Sequence, residues 1–257
     1  MMNSLTKISE KELEVIKMCN SFKLKGLSGS LQCQFENPKP WQNCSFEERL
    51  LAALSDHSDY LRKRRHEILL KKANIKGQRT SDEIDTGKDR GITKTEFETL
   101  CQLGFIRQAK NVIIRGPSGS GKTELISAIA KVACRAGYTT SYYITNDLIF
   151  EYLTQSADNK NKIRTQLKKT FLLILDDLCL TPFKNNDEAK VLYDILNDRI
   201  DEHATIFATQ LTDSGIKKRL EPVDSALCDA LYRRISNCMY EYTIINPKES
   251  KGDICEN

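Results

Sequence analysis

Two patterns of apolar and polar residues divide the chain. From residue 111 onward, short apolar runs alternate with longer segments that have helical apolar spacing. The short runs are typical of buried strands, and the longer segments of helices packed on a sheet. This alternation predicts an α/β domain with a five-stranded parallel sheet. The predicted strands are Val112–Arg115, Thr139–Ile144, Phe171–Leu175, Thr205–Thr209 and Met239–Ile245.

The segments between these runs predict helices and one loop. The polar stretch Ser156–Lys162 is predicted as a loop that leads into a further helix before the third strand. Asn186 is predicted as the N-cap of the helix that follows the third strand. The predicted helices include Glu124–Ala136, Asp147–Gln155, Asp187–Ile200 and Asp224–Cys238.

The first part of the chain has helical patterns only. A first helix is predicted over Lys11–Leu24, and Gly26 and Gly29 are expected to break it or its continuation. Ser45–Glu48 has the sequence of a capping box and opens a long helix that extends to about Ala73. These patterns predict a small all-helical N-terminal domain.

Changes in composition predict the domain boundaries. Residues 77–91 are polar and rich in turn-forming residues, which is typical of an interdomain linker. A second capping box, Thr93–Glu96, then starts a short helix that ends at Gly104. The predicted organisation is a helical domain over residues 1–80, a linker and helix over 81–110, an α/β core over 111–247 and a polar tail over 248–257.

The segment Gly116–Thr123 reads Gly-Pro-Ser-Gly-Ser-Gly-Lys-Thr, the pattern of a phosphate-binding P-loop. It lies between a predicted strand and a predicted helix, where backbone N–H groups and the helix N-terminus attract phosphate. Lys122 is placed to reach the β- and γ-phosphates of ATP, and Thr123 to offer its hydroxyl to Mg²⁺. A glycine-rich loop without a ligand is the alternative. The predicted nucleotide-binding residues are Gly116, Pro117, Ser118, Gly119, Ser120, Gly121, Lys122, Thr123 and Glu124.

Two carboxylates follow the third predicted strand. Phe171–Leu175 is wholly apolar and ends in Asp176 and Asp177. Ligands of doubly wound sheets bind at the carboxyl ends of the strands, so both side chains are expected beside the P-loop. In this Walker B pattern Asp176 would hold Mg²⁺ through water, and Asp177 would orient the water that attacks the nucleotide. An acidic turn without chemistry is the alternative.

Composition excludes several other classes of protein. The longest apolar run has about five residues, too few to span a membrane, and no signal peptide is visible at the N-terminus, so a cytoplasmic protein is expected. The nine cysteines are scattered singly and the chain has only three histidines, which argues against a zinc site or a disulfide framework.

Positive charge is concentrated in one predicted helix, although the net charge is only +4. The segment Leu61–Lys76 has seven basic residues and one acidic residue, Glu67. Arg62, Arg64 and Arg65 could therefore contact DNA phosphates or an acidic partner. A solvated surface helix is the alternative.

Seven stretches in this order resemble the IstB-like transposition helper ATPases, which are related to the DnaC-type helicase loaders within the AAA+ superfamily. The resemblance covers nearly the whole chain. It includes Phe22–Leu27, Ser45–Leu50, Asn111–Thr123, Cys134–Tyr138, Leu172–Asp177, Thr209–Leu211 and Ala230–Ile235.

The resemblance implies further catalytic residues beside Lys122. Gln210, at the end of the fourth strand, corresponds to a sensor that contacts the γ-phosphate or the lytic water. Arg234 corresponds to an arginine finger presented to a neighbouring subunit. Arg233 stands where the family usually has an acidic residue before that arginine, so either arginine could act. Asp177 stands where a glutamate is common elsewhere, so slow hydrolysis is expected. Few residues follow the fifth predicted strand, so a core without the C-terminal helical lid of fuller AAA+ proteins is expected.

The resemblance also implies the partners. It predicts a homo-oligomer on double-stranded DNA, with ATP and Mg²⁺ at the subunit junctions and a cognate transposase as partner. A replicative helicase loader is the alternative, and a small-molecule kinase is a weaker one. In related assemblies the helices after the second strand line the DNA channel, which adds Lys160, Lys162 and Arg164 as candidate DNA contacts.

Overall fold

The computed structural model describes residues 8–246, and its contacts divide the chain into one unit up to Ile68 and a second from Leu69 onward. The sequence placed this division near residue 80. Helix α3 runs across the division, which is why the sequence showed no change of composition there. The predicted polar tail over residues 248–257 lies outside the described residues.

The first unit is helical, as predicted, and its helices begin at capping boxes where the sequence has them. It consists of α1 (Glu10–Ser21), α2 (Lys25–Glu36) and the first part of α3 (Phe46–Ala73). At the start of α3, the Glu48 carboxylate accepts from the backbone N–H of Ser45 at 2.7 Å. The Ser45 hydroxyl accepts in turn from the backbone N–H of Glu48 at 3.2 Å.

The prediction that Gly26 and Gly29 interrupt the helical pattern is wrong, because both lie inside α2. A Cβ added to Gly26 would lie 2.7 Å from the Cβ of Tyr60 and 2.8 Å from the Cα of His57. Gly26 therefore permits close contact between α2 and α3. Gly29 faces open space, with no atom within 4 Å of an added Cβ.

The second unit contains the predicted five-stranded parallel sheet. Its strands pair in the order β2-β3-β4-β1-β5, and all four pairings are parallel. Strands β1, β3 and β4 are central and nearly wholly buried, which explains their apolar sequences. The strands are β1 (Asn111–Arg115), β2 (Thr140–Ile144), β3 (Leu172–Asp176), β4 (Ala204–Thr209) and β5 (Cys238–Thr243).

Helices cover both faces of the sheet. Helices α4 and α6 contribute to the core on one face, and α7, α9 and α11 to the core on the other. The helices of this unit are α4 (Lys94–Cys101), α5 (Gly104–Arg107), α6 (Lys122–Arg135), α7 (Thr145–Thr154), α8 (Ala157–Lys169), α9 (Asn186–Asn197), α10 (Asp213–Leu220) and α11 (Ser225–Ser236).

Three local predictions need correction. Most of the predicted loop Ser156–Lys162 belongs to α8, with Ser156 at the N-cap position. The N-cap of α9 is Asn185, whose side chain accepts from the backbone N–H of Glu188. The Asn186 side chain accepts instead from the backbone N–H of Asp224, at the start of α11. Helix α10 was not predicted, because it is short and only two of its residues are buried.

The segment predicted as an interdomain linker packs along α6. The backbone N–H of Gly77 donates to the Ser127 hydroxyl at 3.0 Å, and that of Arg79 to the Glu124 carboxylate at 2.9 Å. The Lys131 ammonium donates to the carbonyl oxygens of Gln78 and Arg79 at 2.6 and 2.9 Å. These contacts are polar and lie far apart in sequence, so composition alone suggested a loose connection.

We predict that Gly26→Ala destabilises the first unit, whereas Gly29→Ala does not. The new methyl group at position 26 meets α3 at less than van der Waals distance, and such overpacking costs about 1–3 kcal/mol of unfolding free energy. Alanine at position 29 meets nothing and should stabilise the helix by up to about 1 kcal/mol. Urea unfolding followed by fluorescence of Trp41, the single tryptophan, measures both effects in this unit. Equal stabilities of the two variants would contradict the packing argument.

Candidate active site

The glycine-rich loop between β1 and α6 has a conformation that requires glycine. Gly116, Gly119 and Gly121 have φ values of 146°, 73° and 94°, a region that side-chain-bearing residues rarely adopt. A Cβ on Gly116 would lie 2.4 Å from the carbonyl oxygen of Ile244 and 2.9 Å from the Ser120 hydroxyl. The loop leads directly into the N-terminus of α6, which provides a partial positive charge.

Lys122 is the first residue of α6 and is largely buried. Its ammonium group donates to the carbonyl oxygens of Gly116 and Pro117, both at 2.8 Å. Burial lowers the pKa of Lys122, and the nearby carboxylates of Asp176 and Asp177 act in the opposite direction. The loop therefore holds a cation above its own backbone, where a phosphate group can reach it.

The Asp176 carboxylate is buried at the end of β3 and is hydrogen-bonded through both oxygens. Its Oδ2 accepts from the Thr123 hydroxyl at 2.8 Å and from the Tyr142 hydroxyl. Its Oδ1 accepts from the backbone N–H of Asp177 at 2.9 Å. A hydroxyl and a carboxylate side by side are hard oxygen ligands of the kind that Mg²⁺ prefers, so these residues fit a magnesium ion.

Asp177 and Gln210 face the same cleft from neighbouring strand ends. Asp177 has a φ of 53°, an unfavourable backbone conformation that is often found at functional sites. Burial and the neighbouring Asp176 raise the pKa of the Asp177 carboxyl, and the Lys122 ammonium and the Gln210 side chain partly oppose this. The cleft has a volume of about 410 Å³ and is lined by Ser118, Gly119, Gly121, Lys122, Thr123, Glu124, Asp177, Leu180 and Gln210.

Arg115, which sequence reasoning missed, fixes the segment that follows Gln210. Its guanidinium donates to the Leu211 carbonyl at 2.7 Å and to the carboxylates of Asp213 and Glu241, each at 2.6 Å. Arg115 ends β1 and directly precedes the P-loop, so it connects the two segments that line the cleft. Tyr142 was missed as well, because its contact with Asp176 depends on the register of two strands that the sequence does not reveal.

Arg234 lies away from this cleft. It lines a separate small cavity with Asn111 and Thr205, which stand at the beginnings of β1 and β4. The P-loop follows the other end of β1. Arg234 therefore lies at the amino ends of the strands, and the cleft lies at their carboxyl ends. The guanidinium of Arg234 donates to the Asn197 side chain at 3.1 Å and lies 5.9 Å from the centroid of the Tyr193 ring. Arg233, in contrast, is exposed.

The candidate DNA contacts on α8 are not equivalent. Lys160 and Lys162 are half-buried and exposed, respectively, whereas Arg164 pairs with the carboxylates of Asp198 and Asp194. The hydrogen bond with Asp198 raises the pKa of Arg164, and the same contact lowers the pKa of Asp198. Arg164 thus joins α8 to the end of α9.

The candidate contacts in the first unit lie on α3. Arg62, Arg64 and Arg65 are exposed, and Arg62 pairs with Asp59 one turn earlier on the helix. An exposed pair of this kind contributes little to stability, so it does not prevent Arg62 from contacting a phosphate.

Within residues 8–246, no helix combines the length and the apolar character needed to cross a membrane.

Known ATP-binding proteins are similar to this chain in sequence. Residues 18–245 match the family described as IstB-like ATP binding protein. The ATP-binding protein of insertion sequence IS1162 from Pseudomonas fluorescens is 29% identical over 201 residues, which are 77% of this chain and 86% of that protein. The corresponding protein of IS21 from Pseudomonas aeruginosa is 29% identical over 199 residues, 77% of this chain and 73% of that protein.

Among solved structures, the crystal structure of the DnaC helicase loader has a similar fold. The TM-score is 0.51 at 16% identity, with 64% of this chain and 96% of that chain covered. The family match extends over both units and includes the P-loop, the two aspartates and Gln210. The chain therefore belongs to the IstB-like ATP-binding proteins and is an ATPase.

Proposed function

We propose that this protein is an ATP-dependent DNA-binding helper of a transposase that assembles on duplex DNA and acts on the target DNA. The observation that carries the proposal is the position of Arg234. It lies at the amino ends of the strands, whereas the ATP cleft lies at their carboxyl ends. Within residues 8–246, the side chains that line the cleft include no arginine, and a second copy can supply one. The relatives named after insertion sequences support the transposase as partner.

In the proposed site, the backbone N–H groups of the P-loop and the Lys122 ammonium bind the phosphates of ATP. Thr123 and Asp176 would hold Mg²⁺, which supplies positive charge to the phosphate oxygens when bound. Asp177 orients water for attack on the γ-phosphorus and accepts its proton as the bond to ADP breaks. Its raised pKa makes the carboxylate a better proton acceptor, and Gln210 lines the same cleft, where it can contact the γ-phosphate or the water.

We predict that Lys122→Ala abolishes ATP binding. The substitution removes the cation at the centre of the loop without changing the glycines that shape it. Arg135→Ala is the matched control, because Arg135 is an exposed cation in the last turn of the same helix. Titration with a fluorescent ATP analogue should show a loss of at least about 100-fold in affinity for the first variant only, which corresponds to about 2.7 kcal/mol. Unchanged affinity in Lys122→Ala would refute the site.

The Arg234 guanidinium has the properties needed to act on a second subunit. Asn197 and Tyr193 restrict its orientation, and its Nε is buried with no partner within residues 8–246. The exposed Arg233 has no comparable support from α9. Arg234 is therefore the better candidate for a finger that stabilises charge in the transition state.

We predict that Arg234→Ala binds ATP and loses hydrolysis, whereas Arg233→Ala keeps most of its activity. Arginine fingers in other P-loop enzymes contribute about 10³- to 10⁵-fold in rate. Mixing Arg234→Ala with Lys122→Ala should restore some hydrolysis, because each variant supplies the half-site that the other lacks. A mixture as inactive as its components would show that Arg234 acts only within its own subunit.

DNA binding by this protein is proposed to depend on phosphate contacts and therefore on salt. The basic residues of α3 and α8 are the candidates, and Lys160 and Lys162 are less engaged in protein contacts than Arg164. Charge of this kind attracts any DNA sequence, because counterion release supplies the free energy.

We predict that Lys160→Ala combined with Lys162→Ala weakens ATP-dependent binding to duplex DNA. The affinity falls as salt rises, and each lost phosphate contact makes the slope of log affinity against log salt less steep by about 0.9. Lys168→Ala combined with Lys169→Ala removes the same charge from exposed positions in the last turn of α8 and is the matched control. Titrations at several salt concentrations measure the slopes, and equal slopes for both double variants would contradict the assignment.

A replicative helicase loader is the second candidate, and the fold shared with the DnaC helicase loader supports it. The two functions differ in their DNA substrate and partner. Tighter ATP-dependent binding to single-stranded than to duplex DNA, together with capture of a replicative helicase, would favour the loader.

A further inference from the structure

We propose that the Tyr142 hydroxyl positions the Asp176 carboxylate for the metal–nucleotide complex, and that Tyr142 is thus a positioning residue of the ATP site. This inference rests on the proposed function of the cleft. Tyr142 touches neither ATP nor metal in the proposal. It acts through one oxygen atom of Asp176.

The register of the sheet brings the two side chains together. Ile144 on β2 pairs with Asp176 on β3, and Tyr142 pairs with Ile174. Tyr142 and Asp176 are therefore diagonal neighbours on the same face, one strand apart across the sheet and two residues apart along it. A phenol side chain is long enough to cross that distance, and its hydroxyl reaches Oδ2 of Asp176.

Tyr142 belongs to the sheet and not to the P-loop. Oδ2 of Asp176 also accepts from Thr123, but Thr123 lies at the start of α6 and is a proposed ligand of the metal. Its hydrogen bond can change when a nucleotide binds. Tyr142 lies in β2 and is only 1% exposed, so its own position is fixed by the sheet when the loop changes.

The alternative explanation is that the Tyr142 hydroxyl donates to Asp176 only because a buried donor needs an acceptor. The two explanations differ in what removal of the hydroxyl changes. If the tyrosine positions the carboxylate, its loss affects the metal requirement of ATP binding. If the contact only satisfies a buried hydroxyl, its loss affects stability alone.

The neighbouring residue Tyr143 is a matched control. It is a half-buried tyrosine on the same strand and points to the opposite face, where it packs against the second core. Tyr143→Phe therefore removes a hydroxyl from β2 at a position that does not contact Asp176.

The test uses the full-length chain and a fluorescent ATP analogue. The affinity is measured without divalent metal and then as a function of Mg²⁺ concentration, with Mn²⁺ binding by EPR as a second readout. We expect Tyr142→Phe to keep its metal-free affinity and to need at least about 10-fold more Mg²⁺, since residues that orient metal ligands typically contribute 10- to 100-fold. Tyr143→Phe should behave as the unchanged protein.

A double-mutant cycle separates positioning from stability. In an Asp176→Asn background, Tyr142→Phe should cause no further change in the Mg²⁺ requirement, because the residue through which it acts has lost its charge. A Mg²⁺ curve unaltered by Tyr142→Phe, or an equal shift in both backgrounds, would overturn the inference. Loss of thermal stability without a shift in the curve would overturn it as well. ATP binding that ignores Lys122→Ala would instead refute the proposed site itself.

Discussion

A buried carboxylate must be hydrogen-bonded, and the cleft is organised around this requirement at Asp176. The side chain is 3% exposed, and its hydrogen-bond donors come from three parts of the chain. Thr123 belongs to the helix after the P-loop, Tyr142 to the edge strand β2, and the third donor is the backbone N–H of Asp177. Satisfying one charge thus fixes the loop, the sheet and the following turn relative to one another.

Because all strands are parallel, their carboxyl ends lie together on one side of the sheet and their amino ends on the other. The carboxyl ends carry Asp176, Asp177 and Gln210 together with Arg115, whereas two further arginines, Arg199 and Arg234, lie at the amino ends. One of them, Arg199, is 2% exposed, and burial lowers its pKa to about 9. Its guanidinium donates to the carbonyl oxygens of Leu167, Thr170 and Ala204 and to the Thr205 hydroxyl. Arg234 is thus kept away from the cleft that we propose to bind ATP phosphates.

Local sequence predicted those elements whose stability depends on their own residues. The strands Val112–Arg115 and Phe171–Leu175 were found because each contains a run of apolar residues, and α3 because Ser45 and Glu48 form a capping box. The predictions were wrong where a residue distant in the sequence determines the local structure. Gly26 was predicted to break a helix, but it lies inside α2 where α3 comes close to it. Residues 77–91 were predicted to be a linker, but the segment is hydrogen-bonded to α6.

The sequence by itself determined the P-loop, the two aspartates and the sheet, because each depends on residue types at short spacing. Only the tertiary structure showed that Tyr142 reaches Asp176, that Arg115 fixes the segment after Gln210, and that Arg164 is held by Asp198. These contacts join residues 34 or 96 positions apart. Strand register and helix packing bring such residues together, and neither leaves a pattern that can be read along the chain.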